Sequence, residues 1–170
     1  MISCIPIQKM CIAGGELLYK ISNSLQNQNL RVSTAESCTG GLIAYTLTNI
    51  SGSSNYFERG LVTYSNKAKM ELLNVSEDLL NKYGAVSKEV ACAMAEGVRT
   101  NSHVNIGIAT TGIAGPTGGS KEKPVGLVYI AISTEVETIV KKFQFKGDRL
   151  KNKQLSCEAA LKMLLSVLNE

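Results

Sequence analysis

Hydrophobic and polar positions along the chain change period several times, and each change marks an element. From Glu16 to Asn29 the residues Leu17, Leu18, Ile21 and Leu25 fall on one helical stripe. Arg31–Ala35 is strand-like, and Leu42–Ile50 reads as a helix entered after a pair of glycines. Leu61–Tyr64 predicts a second short strand. Lys67–Leu73 and Glu77–Tyr83 predict short helices; Ser76 can cap the second, acids fill its first turn and Gly84 follows it. Val90, Met94 and Val98 place a core stripe on a helix from about Ser87 to Asn101. Val104–Thr110 and Val125–Ser133 predict strands, and Thr138–Phe145 a third, with Val140 alternating against lysines. Asp148 can cap a last helix whose stripe is Cys157, Leu161, Leu164, Leu165 and Leu168. The alternation predicts a three-layer α/β/α sandwich on a mixed, mostly parallel sheet, with an antiparallel strand in the 125–145 hairpin.

That architecture carries a polarity. Open α/β sheets bind ligands beyond the carboxyl ends of their strands. The segments just past such ends are Glu36–Gly41, Ser65–Lys69 and Gly112–Gly119. His103, the only histidine, precedes its strand and belongs at the opposite edge. A Ser-His-Asp site is therefore not expected.

Composition narrows the picture. The 170 residues suit one domain, placed at 14–170, with 1–13 expected as a loosely ordered extension lacking a signal peptide's basic start. With 44% hydrophobic residues the chain can bury a real core. Only 5% are aromatic and none is Trp, which argues against stacking platforms for single-stranded nucleic acid. Of the net charge of +4, residues 141–153 alone carry +5, through Lys141, Lys142, Lys146, Arg149, Lys151 and Lys153 against Asp148. Such a patch is large enough for a phosphate or two and too small for a duplex. Five dispersed cysteines without a CxxC pair point to a reduced, cytoplasmic protein. They leave almost nothing for a zinc site, and no metal or cofactor is expected. The uncharged stretch 100–120 is broken by Gly, Pro, Asn and His, so no membrane span is predicted.

Four segments can carry chemistry. In Ala35-Glu36-Ser37-Cys38-Thr39-Gly40-Gly41 a strand turns sharply into a helix. Ser37 there can attack a carbonyl while neighbouring amides hold the oxyanion; equally, Ser37 or Thr39 can simply cap the helix. Cys38 is a rival nucleophile or a small buried hydrophobe. In Thr63-Tyr64-Ser65-Asn66-Lys67-Ala68-Lys69, a lysine acts as base only if burial lowers its pKa; otherwise both lysines are solvated. Thr111-Gly112-Ile113-Ala114-Gly115-Pro116-Thr117-Gly118-Gly119 holds four glycines within residues 112–119, which suits either close backbone approach to a ligand or a mobile loop. Gly147-Asp148-Arg149 opens the last helix, where Arg149 can clasp phosphate or stay solvated.

In this order the motifs form a set. Ala35–Gly41, Gly52-Ser53-Ser54, Phe57-Glu58-Arg59-Gly60 and Val62–Asn66 with Lys69 closely resemble the CinA C-terminal family. So do Gly84-Ala85-Val86-Ser87, Gly112–Pro116, Lys123-Pro124-Val125-Gly126 and Gly147-Asp148-Arg149. The resemblance runs from about Leu17 to the C-terminus, in the free-standing form of a family also called PncC, nicotinamide-nucleotide amidase. It implies hydrolysis of the carboxamide of nicotinamide mononucleotide, with Ser37 as nucleophile, Lys69 as base and Tyr64 beside them. It further implies substrate contacts from Thr39, Gly40, Gly41, Asn66, Thr111, Gly112, Ala114, Gly115 and Arg149, and a homo-oligomer. Lys67 and Thr117 depart from the family's commoner residues at their positions. Two rivals remain at this stage: a nucleotide-binding module without turnover, and an amidase acting on a related carboxamide.

Overall fold

The computed structural model describes residues 15–169; the expected extension at 1–13 lies outside them. Helix α1 (Gly15–Asn27) leads to strand β1 (Val32–Glu36), then α2 (Leu42–Leu47), a 3-10 turn at Ser53–Asn55 and β2 (Phe57–Val62). Three helices follow: α3 (Asn66–Leu73), α4 (Glu77–Tyr83) and α5 (Lys88–Asn101). Strands β3 (Ile106–Gly112), β4 (Leu127–Ser133) and β5 (Thr138–Gln144) come next, and α6 (Arg149–Leu168) closes the chain. Ser65, Ser76, Ser87 and Asp148 cap α3, α4, α5 and α6 by accepting backbone N–H groups.

The sheet runs in the order β2-β1-β3-β4-β5. β1 is parallel to both neighbours, while β4 is antiparallel to β3 and β5. Four strands thus point one way and β4 alone is reversed. From β1 the chain goes outward to β2 and later returns to β3 on the other side, so β1 and β3 flank the switch point where such sheets bind ligands. Ser37 follows the end of β1, and Gly112 ends β3.

Strand alternation divides the core. On one face Val32, Ile106, Ile108, Val128, Ile130 and Ile132 pack against α1, α2 and α6 through residues such as Leu25, Ile43 and Leu161. Each such fully buried side chain contributes about 1.5–3 kcal/mol. Of the stripe expected on α6, Leu165 is only half-buried. The opposite face is built from small residues, Ala35, Ala109 and Ala131, which meet Val90, Met94 and Val98 of α5. Small residues let α5 lie close: a Cβ on Gly107 would stand 2.1 Å from the Ala95 carbonyl oxygen.

One strand differs from expectation. β2 spans Phe57–Val62 rather than Leu61–Tyr64, in register from Val32↔Phe57 to Glu36↔Val62. It is an edge strand paired only with β1, so Glu58 and Arg59 stay wet and hide its periodicity. Tyr64 consequently lies past the strand, in the turn before α3, and is exposed.

Candidate active site

The turn after β1 is shaped by a buried carboxylate. Glu36 Oε2 accepts the N–H groups of Gly41 (3.0 Å) and Ile43 (3.1 Å), and Oε1 that of Ala44 (2.8 Å). Gly41, at φ 94, is the N-cap of α2 and offers no side chain, so Glu36 caps the helix from the strand below. Neither Ser37 nor Thr39 is the cap. Thr39 is buried with its hydroxyl 2.7 Å from that of Thr110, and Ser37 N–H donates to the Thr110 carbonyl at 3.0 Å. Glu36→Gln turns one accepting oxygen into a donor facing N–H groups. The variant is expected to unfold about 2 kcal/mol more easily in a urea titration, and an unchanged midpoint would contradict the capping role.

Lys69 reaches the same place from α3. Its Nζ donates 2.8 Å to the Thr63 carbonyl and stands 3.2 Å from Ser37 Oγ. The residue is 1% exposed. Among the described residues no carboxylate lies within salt-bridge distance of it. Burial therefore holds its pKa below the usual lysine range, against a smaller opposing effect of Cys38. Glu36, the nearest buried acid in sequence, turns its charge to three N–H donors instead. Burial pushes the Cys38 thiol up to about 12, which keeps it protonated and makes it a poor rival nucleophile.

Seven of the residues singled out from the sequence, Ser37, Tyr64, Lys69, Thr111, Gly112, Ala114 and Arg149, line one cavity of about 220 Å³ with Cys38, Ala85 and Val86. A larger groove of about 460 Å³ between β5 and α6, containing Phe143, Phe145 and Met163, also has Ser166 on its lining, but Lys162 beside it is exposed and paired with Glu158. Arg149 binds the rim together: Nη1 donates to the Gly115 carbonyl (2.8 Å) and Nη2 to the Tyr64 hydroxyl (3.1 Å). Asn152 Nδ2 holds the Ala114 carbonyl at 3.0 Å.

Several expected ligands of a substrate have other duties. The Thr111 hydroxyl braces the Ala85 carbonyl at 2.7 Å. The Gly41 N–H belongs to Glu36, so it is not an oxyanion donor, whereas the N–H of Cys38, the turn residue that lines the cavity, has no acceptor among the described residues. Thr39, Gly40, Gly41, Asn66 and Gly115 do not line the cavity, and Asn66 is exposed at the start of α3. His103 is exposed before β3, at the other end of that strand from Gly112. Ala85 and Val86, whose motif carried no assigned role, are cavity residues, and the Thr63 carbonyl that holds Lys69 had no signal in the side-chain sequence.

Among the described residues, no group of three or more His, Cys, Asp or Glu side chains is placed to hold a metal ion, and no helix is long and apolar enough to cross a membrane. A buried lysine beside a hydroxyl, next to the unspent N–H of Cys38, is the equipment of a nucleophile–base pair.

Comparison with known proteins gives the family. The model of the CinA C-terminal domain matches residues 15–168. A CinA-like protein of Syntrophus aciditrophicus is 54% identical over 141 residues, covering 82% of this chain and 34% of that protein. A CinA-like protein of Syntrophobacter fumaroxidans is 49% identical over 156 residues, covering 91% and 37%. The chain thus spans little more than a third of the length of these curated relatives. The crystal structure of the competence/damage inducible protein CihA from Agrobacterium tumefaciens superposes with a TM-score of 0.88 at 42% identity, covering 99% of this chain and 100% of that one. The competence damage-inducible protein A from Klebsiella pneumoniae gives a TM-score of 0.88 at 32% identity, covering 91% and 96%. Fold, motifs and matched length agree: the chain belongs to the CinA C-terminal domain family.

Proposed function

We propose that the protein hydrolyses the carboxamide of nicotinamide mononucleotide to nicotinic acid mononucleotide and ammonia, through a Ser–Lys mechanism. The observation that carries this reading is the buried Lys69 Nζ, 3.2 Å from Ser37 Oγ and without an acid to keep it charged. Neutral Lys69 accepts the Ser37 proton as Oγ attacks the amide carbon, and the carbonyl oxygen becomes an oxyanion. The N–H of Cys38, the turn residue that lines the cavity beside Ser37, receives that charge; one good donor is typically worth about 3 kcal/mol. As the C–N bond breaks, the Lys69 ammonium returns its proton to the departing nitrogen, with the Tyr64 O–H as relay at the rim. Water then attacks the acyl–Ser37 ester, with Lys69 again as base, and releases the acid.

Cavity size supports the division of the substrate. At about 220 Å³ it is smaller than the ~300–1,000 Å³ clefts that enclose whole ligands. The pyridine ring and its amide enter, and the ribose phosphate stays at the rim. The concentrated positive charge of residues 141–153 favours that anion. A small pyridine mononucleotide as partner and a cytoplasmic setting belong to this reading.

Purified protein given nicotinamide mononucleotide is expected to release ammonia and nicotinic acid mononucleotide in equal amounts. Binding without ammonia would replace the amidase with a nucleotide-binding module. Faster release from nicotinamide itself or another carboxamide would move the activity to a related substrate.

A further inference from the structure

We infer that Lys153, seated against the backbone of Gly40, is the cation that receives the phosphate of the substrate; the inference rests on the reading of the chain as a nucleotide amidase. The basic segment offers several candidates for this task, and the structure separates them. Arg149, the obvious one, already spends Nη1 on the Gly115 carbonyl and Nη2 on the Tyr64 hydroxyl. Its guanidinium fork ties two loops together. Lys151 is exposed and belongs to the other side of the first turn of α6. Lys153 lies four residues beyond Arg149 on α6, hence on the same side of the helix.

Lys153 is half-buried, and among the described residues no carboxylate pairs with it. Its Nζ instead stands 3.3 Å from the point a Cβ of Gly40 would occupy. Gly40 has φ +64 and is solvent-exposed, so both its conformation and the ammonium beside it favour the absence of a side chain. What stands at the exposed Gly40 backbone is an ammonium with no carboxylate partner among the described residues. An unpaired ammonium calls for an anion. Gly40 is three peptide units from Ser37, so their Cα atoms are at most about 11 Å apart. The pyridine ring and ribose together bridge an interval of that order between a carboxamide on Ser37 and a phosphate on Lys153.

The test compares wild type, Lys153→Met and Lys153→Arg on nicotinamide mononucleotide and on nicotinamide riboside, which lacks the phosphate. Lys153→Met is expected to raise KM for the mononucleotide by about 10- to 30-fold, the loss of one charge-assisted hydrogen bond. For the riboside the rise should stay under about twofold, and Lys153→Arg should recover most of the lost affinity. An unmoved KM, or an equal rise for both substrates, overturns the assignment. Calorimetry with nicotinic acid mononucleotide and its riboside makes the outcome independent of turnover. If wild type releases no ammonia, the amidase reading falls, and the phosphate subsite stands only if the mononucleotide binds more tightly than the riboside and Lys153→Met removes that difference.

Discussion

Replacing Ser37 by alanine is expected to lower ammonia release from nicotinamide mononucleotide by at least ~10³-fold, the scale on which covalent hydrolases lose turnover without their nucleophile. No neighbouring group can substitute. Cys38 is buried with its thiol pushed up to about 12, and His103 is exposed at the far end of β3. The substitution should leave the fold intact, because the Ser37 side chain caps nothing; α2 is held by Glu36. Urea midpoints of the two proteins should agree to within about 1 kcal/mol, while the ammonia assay separates them. Retention of a tenth of wild-type turnover by Ser37→Ala would remove the covalent mechanism. So would an accumulating intermediate whose mass is never found on Ser37.

Lys69→Met is expected to be nearly as damaging to turnover, ~10³-fold or more, for a different reason. Met has the length of the lysine stem without its lone pair, so the cavity stays filled while the proton acceptor is lost. Stability should move the other way, since a lysine must shed its proton to be buried here and a thioether has none to shed.

The same lysine fixes two pH dependences. Its folded pKa is depressed by burial, so between that value and the usual lysine range the unfolded chain binds more protons than the folded one. Wild-type stability should therefore rise with pH across that window, and the rise should be absent in Lys69→Met. Turnover of wild type should climb from acid pH as Lys69 becomes neutral. A stability curve equally steep in both proteins would show that Lys69 is already charged in the folded state, and the base would have to be sought elsewhere.

Much of the fold could be read from periodicity because most elements bury one face completely. Val90, Met94 and Val98 on α5 and Cys157, Leu161 and Leu164 on α6 are in the core as their spacing requires. β2 was expected four residues late because a wet edge strand has little reason to alternate, and its charged Glu58 and Arg59 resemble a loop. That Ser37 and Lys69 belong together was legible as a family motif, and they are in hydrogen-bond contact, but the burial of Lys69 depends on Thr63 and α3 packing, which no local pattern records. Glu36 was the larger omission. A carboxylate at a strand end looks like a solvent-facing residue, and only the three-dimensional path of the Ser37–Gly41 turn brings three N–H groups to it. Expected substrate contacts at Thr39, Thr111 and Gly41 went the same way: their polar groups hold the protein to itself.

α6 has a consequence for the order of folding. With α1 and α2 it covers one face of the sheet, and its first turn brings Arg149 to the mouth where Tyr64 and Gly115 meet. β1 and α3 precede it in the chain, so Ser37 and Lys69 can come together before this helix is made. The apolar face is sealed and the entrance finished only when the helix docks, which makes its docking a late step in reaching the native state.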